Sequence, residues 1–186
     1  IPFYEINIDT TKAVYKFLTR ARYEAMIVPG NDTRYIREIA HVPDILEVDV
    51  VLSERKGIRM SGTVGDQSLQ IEGGLESNRG IVEYLNLDFR IEQTGVQFDN
   101  SSIIPEVYGR ARTTLSDSTG ATYNLYLTLN TRDPITGEKR TSGRLQQQNL
   151  YFELTSDNPN LGNSEGQILA NLGLSPENIQ EQAPNL

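Results

Sequence analysis

The sequence predicts an all-β fold of antiparallel, amphipathic strands closed by one short helix. Three observations carry that expectation. From Leu46 onward apolar residues return with a period of two; clusters of Gly, Pro, Asn and Asp separate the alternating rows; and a capped helical pattern is complete only once, near the C-terminus. Successive side chains of a strand point to opposite faces, so this period gives each strand one apolar and one wet face. That is the pattern of a meander with one shielded sheet face.

Taken in order, residues 1–45 give the weakest pattern. Thr10 or Thr11 is placed to cap a short helix, with Val14, Phe17, Leu18, Ala21 and Ala25 at helical spacing. Val14, Tyr15, Phe17 and Tyr23 also permit strands, so helix over 11–25 is the expectation and strand the alternative. Pro29-Gly30-Asn31-Asp32 marks a turn. Leu46, Val48, Val50 and Leu52 then alternate with Glu47, Asp49, Val51 and Ser53. Ile58 and Met60 follow a Lys56-Gly57 turn, and Leu69, Ile71 and Leu75 follow Gly65-Asp66. Leu85, Leu87, Phe89 and Ile91 alternate with Asn86, Asp88, Arg90 and Glu92, and Gly95 precedes a short strand with Val96 and Phe98. Val107, Gly109, Ala111, Thr113 and Leu115 form the next row, followed by Tyr123, Leu125, Leu127 and Leu129, and then by Leu150, Phe152 and Leu154.

The turns agree. Asp117-Ser118-Thr119-Gly120 and Asp133-Pro134-Ile135-Thr136-Gly137 carry hairpin chemistry, with Pro presetting φ and Gly supplying a positive φ. Asp157-Asn158-Pro159 ends the last row. Ser164 is a good N-cap and Gln167 completes a capping box; Ile168, Leu169 and Leu172 make the apolar stripe, and Gly173 stops it. The chain thus divides into a segment 1–45 open to helix and strands, an amphipathic sheet over 46–160, and a region 161–186 holding a helix at 164–173 and a polar tail.

Composition narrows the function classes. In 186 residues the net charge is -8, which argues against nucleic acid, because phosphate binding needs a basic stripe. The densest basic group, Lys139, Arg140 and Arg144, sits beside a turn. Cysteine is absent, which removes disulfides, thiolate metal sites and Cys nucleophiles. His41 is the only histidine and precedes Val42-Pro43, a loop setting. Asp117-Ser118-Thr119-Gly120 has one residue too many for an aspartic-protease loop, and Gly73-Gly74 with Gly62 and Gly65 lacks the Lys-Ser/Thr of a phosphate loop. These glycines mark turns or bulges. No calcium loop is present; Asn31-Asp32-Thr33 and Asn100-Ser101-Ser102 fit the glycosylation sequon, which is common by chance. No cofactor, metal or catalytic constellation is indicated, and the sequence is not that of a recognisable enzyme. A chain beginning at Ile1 reads as a piece of a longer protein. Periodicity alone leaves two architectures open: a sandwich whose apolar faces pack together, and a curved sheet whose apolar face lines a groove.

Residues 80–172 add an ordered set of motifs. Gly80-Ile81-Val82-Glu83-Tyr84-Leu85 is followed by Phe89-Arg90-Ile91, Gly95-Val96-Gln97-Phe98 and Ile104-Pro105. Phe152-Glu153-Leu154-Thr155-Ser156-Asp157-Asn158-Pro159 and the helix Glu165 to Gly173 close the set, with Asn160-Leu161-Gly162-Asn163 as a longer insertion than usual. This order resembles the C-terminal domain of the TamB family, translocation and assembly module proteins of bacterial envelopes, over roughly half the chain; residues 1–45 match none of its motifs. The resemblance implies a long curved sheet folded over into an open hydrophobic groove (a β-taco) with a short C-terminal helix. It further implies a periplasmic protein anchored in the inner membrane of a Gram-negative-type envelope. Its expected partners are phospholipid acyl chains and an outer-membrane barrel of the TamA/BamA class. The implied groove is lined by Leu85, Leu87, Phe89 and Ile91, by Val96 and Phe98, by Ala111 and Leu115, by Leu125, Leu127 and Leu129, and by Phe152 and Leu154. The helix, through Ile168, Leu169 and Leu172, is expected to plug the groove end or dock on a partner.

Overall fold

The computed structural model describes residues 16–17, 20–40, 45–64, 68–133, 136–144 and 150–173. Among these residues the strands are β1 (Arg22–Ile27), β2 (Arg34–Ala40), β3 (Ile45–Val51), β4 (Ile58–Thr63), β5 (Gln70–Ser77), β6 (Gly80–Tyr84), β7 (Leu87–Asp99), β8 (Glu106–Ser116), β9 (Thr122–Arg132), β10 (Lys139–Arg140), β11 (Ser142–Arg144) and β12 (Leu150–Ser156). The helix α1 spans Glu165–Asn171. All twelve strands belong to one antiparallel sheet, so two sheets packed face to face are not what the described residues build.

The pairing is a plain meander, broken along one line. β1 pairs β4, and β2 pairs β3; β4 pairs β5, and β3 pairs β6; β5 and β6 both pair β7 along one edge, and β8 takes the other. Thus 22–40, 45–63 and 70–84 are each one long strand interrupted in the middle, whereas β7 runs through without a break. Register is kept, or shifts by one residue, from one side of each interruption to the other. The line of breaks runs through 28–33, 52–57 and 78–79 and ends at the bulge between Ile91 and Gln93. It is held by backbone bonds from Val51 N to Arg79 O and from Ser53 N to Glu76 O, with the buried Ser77 hydroxyl donating to the Val51 carbonyl and accepting from Arg79 N. We call this line the crease. Gly73 sits beside it at φ 86, where a side chain would meet the Gly57 carbonyl oxygen.

The sheet curls into a half-barrel. In a flat sheet β12 and β6 would lie four strand spacings apart, about 19 Å, yet a seven-residue helix is only about 10 Å long. Helix α1 packs on β12 while its first residue, Glu165, accepts a bond from the Tyr84 hydroxyl of β6 at 3.1 Å. The strands between therefore wrap around the helix, and the face that it touches is the concave one. Ser164 caps α1 by accepting from Gln167 N, and Gly173 follows at φ 72, as its sequence predicts. The reciprocal capping bond differs: the Gln167 side chain accepts from Asn163 N at 2.9 Å.

Two expectations are corrected. The helix expected over 11–25 is limited, among the described residues, to helical backbone at Lys16, Phe17 and Arg20; from Arg22 the chain is a strand. The six-residue ladder to β4 outweighs the local helical spacing; residues 11–15, 18 and 19 lie outside the described residues. Leu85 is not a strand residue. It forms the two-residue turn Leu85-Asn86, at φ 56 and 58, between the paired Tyr84 and Leu87. Such a hairpin requires positive φ at both positions, and the leucine side chain is nonetheless buried. His41 and the Gly65-Asp66 turn lie outside the described residues.

Candidate hydrophobic groove

The apolar rows share the concave face. Register places Leu46, Val48 and Val50 beside Tyr84, Val82 and Gly80, then beside Leu87, Phe89 and Ile91. Ala111 lies between Ile91 and Leu127, and Leu127 pairs Leu154. The bulge at Glu92 matters here. It shifts the alternation of β7 by one residue, so Val96 and Phe98 stay on the same face as Phe89 and Ile91. From there the face continues through Leu75 and Ile71 of β5 to Ile58 and Met60 of β4 and Ala25 and Ile27 of β1.

The crease divides this face into two arms of different character. On the β2–β3–β6 side, extended by β8, β9 and β12, the interior is filled: Leu46, Phe89 and Leu125 are 0% exposed. The filling comes from the chain itself, since Leu161, Ile168 and Leu169 are buried in the same cluster. Leu87, Leu115 and Phe152 pack around it, as does Leu172. On the β1–β4–β5 side no helix covers the face among the described residues. Ile58, Met60, Ile71, Leu75, Val96 and Phe98 are all partly exposed, and Ile27 is 52% exposed at the rim.

Of the residues expected to line a groove, Val96 and Phe98 therefore lie in the open arm, and the others lie in or around the filled one. Leu129 is half-buried opposite Gly109 and Phe152. The floor also includes Ile58, Met60, Ile71 and Leu75, which lie outside the residues that the resemblance implies for the groove although their rows show the same alternation. Ile168 and Leu169 face the chain's own interior.

The convex face is charged and paired. Glu92 lies 3.3 Å from Arg110 and 3.2 Å from Arg112, and Arg110 also covers the Tyr126 ring at 4.2 Å. Arg34 pairs Asp49, Lys56 pairs Glu76, and Arg144 pairs Asp99. Exposed pairs of this kind add little to stability, because solvent screens them; their effect is to keep this face wet. Asn130 is buried on it, donating to Glu153 at 2.9 Å beneath Lys139.

Carboxylates secure the turns at the strand ends. Asp117 accepts from the Thr119 hydroxyl, from Thr119 N and from Ala121 N, and these bonds hold its carboxyl below the usual carboxylate value. Asp157 is lowered likewise by the Asn124 backbone and side-chain amides, and Asp99 by Ser101 and then Arg144. Among the described residues no three His, Cys, Asp or Glu side chains gather as a metal site, and no helix is long and apolar enough to cross a membrane.

No protein-family model, curated protein or solved structure matches the chain.

Proposed function

We propose that the chain is a segment of a bridge-like lipid-transfer protein, whose concave face shields phospholipid acyl chains from water. One observation supports this above the others: an apolar face continues across the crease into an arm that nothing covers among the described residues, while the opposite face is studded with ion pairs. Each acyl methylene moved from water onto such a floor stabilises by about 0.8 kcal/mol, and transfer along it needs no catalytic group. The resemblance of the motif order to that of TamB proteins supports a periplasmic setting, an inner-membrane anchor elsewhere in the protein, and an outer-membrane barrel of the TamA/BamA class as partner. It equally supports a role in outer-membrane protein assembly.

Photo-crosslinkers placed at Met60 and Phe98 of the open floor, and at Arg59 and Gln97 of the convex face, test the reading. Phospholipid adducts are expected at the first pair only. Adducts on both faces, or on neither, would sink it. A second reading, a protein-interaction module without lipid, is favoured by the filled arm; it predicts no co-purifying phospholipid in native mass spectrometry.

A further inference from the structure

We infer that helix α1 and the turn before it form a displaceable plug, a piece of the chain that occupies the place of acyl chains in one arm of the groove. The inference rests on the lipid-groove reading. Both arms present the same kind of surface: Ile, Leu, Val and Phe alternating along antiparallel strands of one continuous face. They differ in occupancy. The open arm is bare among the described residues, and the other holds Leu161, Ile168 and Leu169, which together supply three branched aliphatic side chains to its interior. These side chains are chemically what a lipid tail would bring.

The plug is also lightly built. It is seven residues long, well below the length at which an isolated helix is stable in water. Its polar ties include the Tyr84 hydroxyl to Glu165, which crosses to β6, and, within the plug, the Ser164 cap at 3.4 Å, Asn163 N to the Gln167 side chain at 2.9 Å, and Asn171 Nδ2 to the Leu161 carbonyl at 3.0 Å. The short Asn158-Pro159 turn joins it to β12, so the helix can leave without any strand unpairing. What holds it is the burial of its apolar side chains, and a lipid tail offers the sheet the same contact. The two occupants therefore compete for one volume, and lipid entry into this arm is coupled to helix release.

The test uses p-benzoylphenylalanine in place of Phe98 in the open arm or Phe152 in the filled one, with vesicles of phosphatidylethanolamine and phosphatidylglycerol. In the wild-type background, adducts are expected at Phe98 and scarcely at Phe152. In the variant Ile168→Asp/Leu169→Asp, adducts at Phe152 should rise about tenfold, the gain expected when a state populated at roughly a tenth becomes dominant. Because that variant can lose stability, hydrogen exchange of the unaltered chain is the second measurement: amides of 168–172 should lose protection when the vesicles are added. Adducts at Phe98 without release of the helix or gain at Phe152 would overturn the plug alone. Adducts at neither position in either protein would overturn the groove reading, and the plug with it.

Discussion

At the scale of single residues, the turns show how local chemistry places the strands. Leu85 occupies a backbone conformation that leucine rarely adopts, and its burial in the cluster compensates. Asp117 and Asp157 act differently, accepting backbone N–H bonds through charged carboxylates. Since folding lowers the pKa of both carboxyls below the usual 3.8, their contribution is complete above that value and is lost as pH falls through the lower folded one. In an acid titration followed by amide NMR, Thr119, Ala121 and Asn124 should shift together with midpoints below 3.8. Midpoints at or above that value would show that the carboxylates gain nothing from these bonds. Legibility at this scale was good where turn chemistry is strong. Asp117 to Gly120 form the turn that their sequence predicts, and Ser164 caps α1 although Gln167 does not close the capping box; Leu-Asn, by contrast, is a poor turn signal, and the alternation of Leu85 with Leu87 predicts a strand.

At the scale of elements, the bulge in β7 decides which face carries the later half of the sheet. One residue, Glu92, sits opposite no partner in β8 and turns its carboxylate to Arg110 and Arg112. Deleting Glu92 would remove the bulge: Gln93 would follow Ile91 in a regular ladder to Ala111 and Arg110, and Val96 would still pair Val107 on the concave face. The expected cost therefore stays within the roughly 0.5–3 kcal/mol of an ordinary substitution, because no strand is inverted. Urea denaturation checks it; loss of the folded state would mean that the sheet needs the extra residue. The switch was visible in the sequence as a change from odd to even apolar positions between Ile91 and Val96. The filling of one arm by α1 was not visible, because helical periodicity shows that a helix has an apolar stripe and not which surface receives it. The crease was hidden for a related reason: Pro29-Gly30 and Lys56-Gly57 announce turns, but only long-range register sets them level with Asn78.

For the whole molecule, the two arms should differ in stability as they do in packing. The filled arm opens only with the loss of its core, whereas the open arm, among the described residues, has little buried beneath it. In native-state hydrogen exchange, the slowest amides of β4 and β5 should exchange at least about tenfold faster than those of β8 and β9. Equal rates would show that the sheet opens as one unit. The crease also has a mechanical meaning. Among the described residues, each strand outside β7 on that side is cut at the same level, while β7 carries one covalent backbone and one ladder to β8 past the cut. The molecule is a pair of leaves bound to a common spine. Bending strain applied to a leaf reaches the other chiefly through that spine and the few bonds spanning the cut, so the leaves can differ in curvature while the floor beneath stays unbroken.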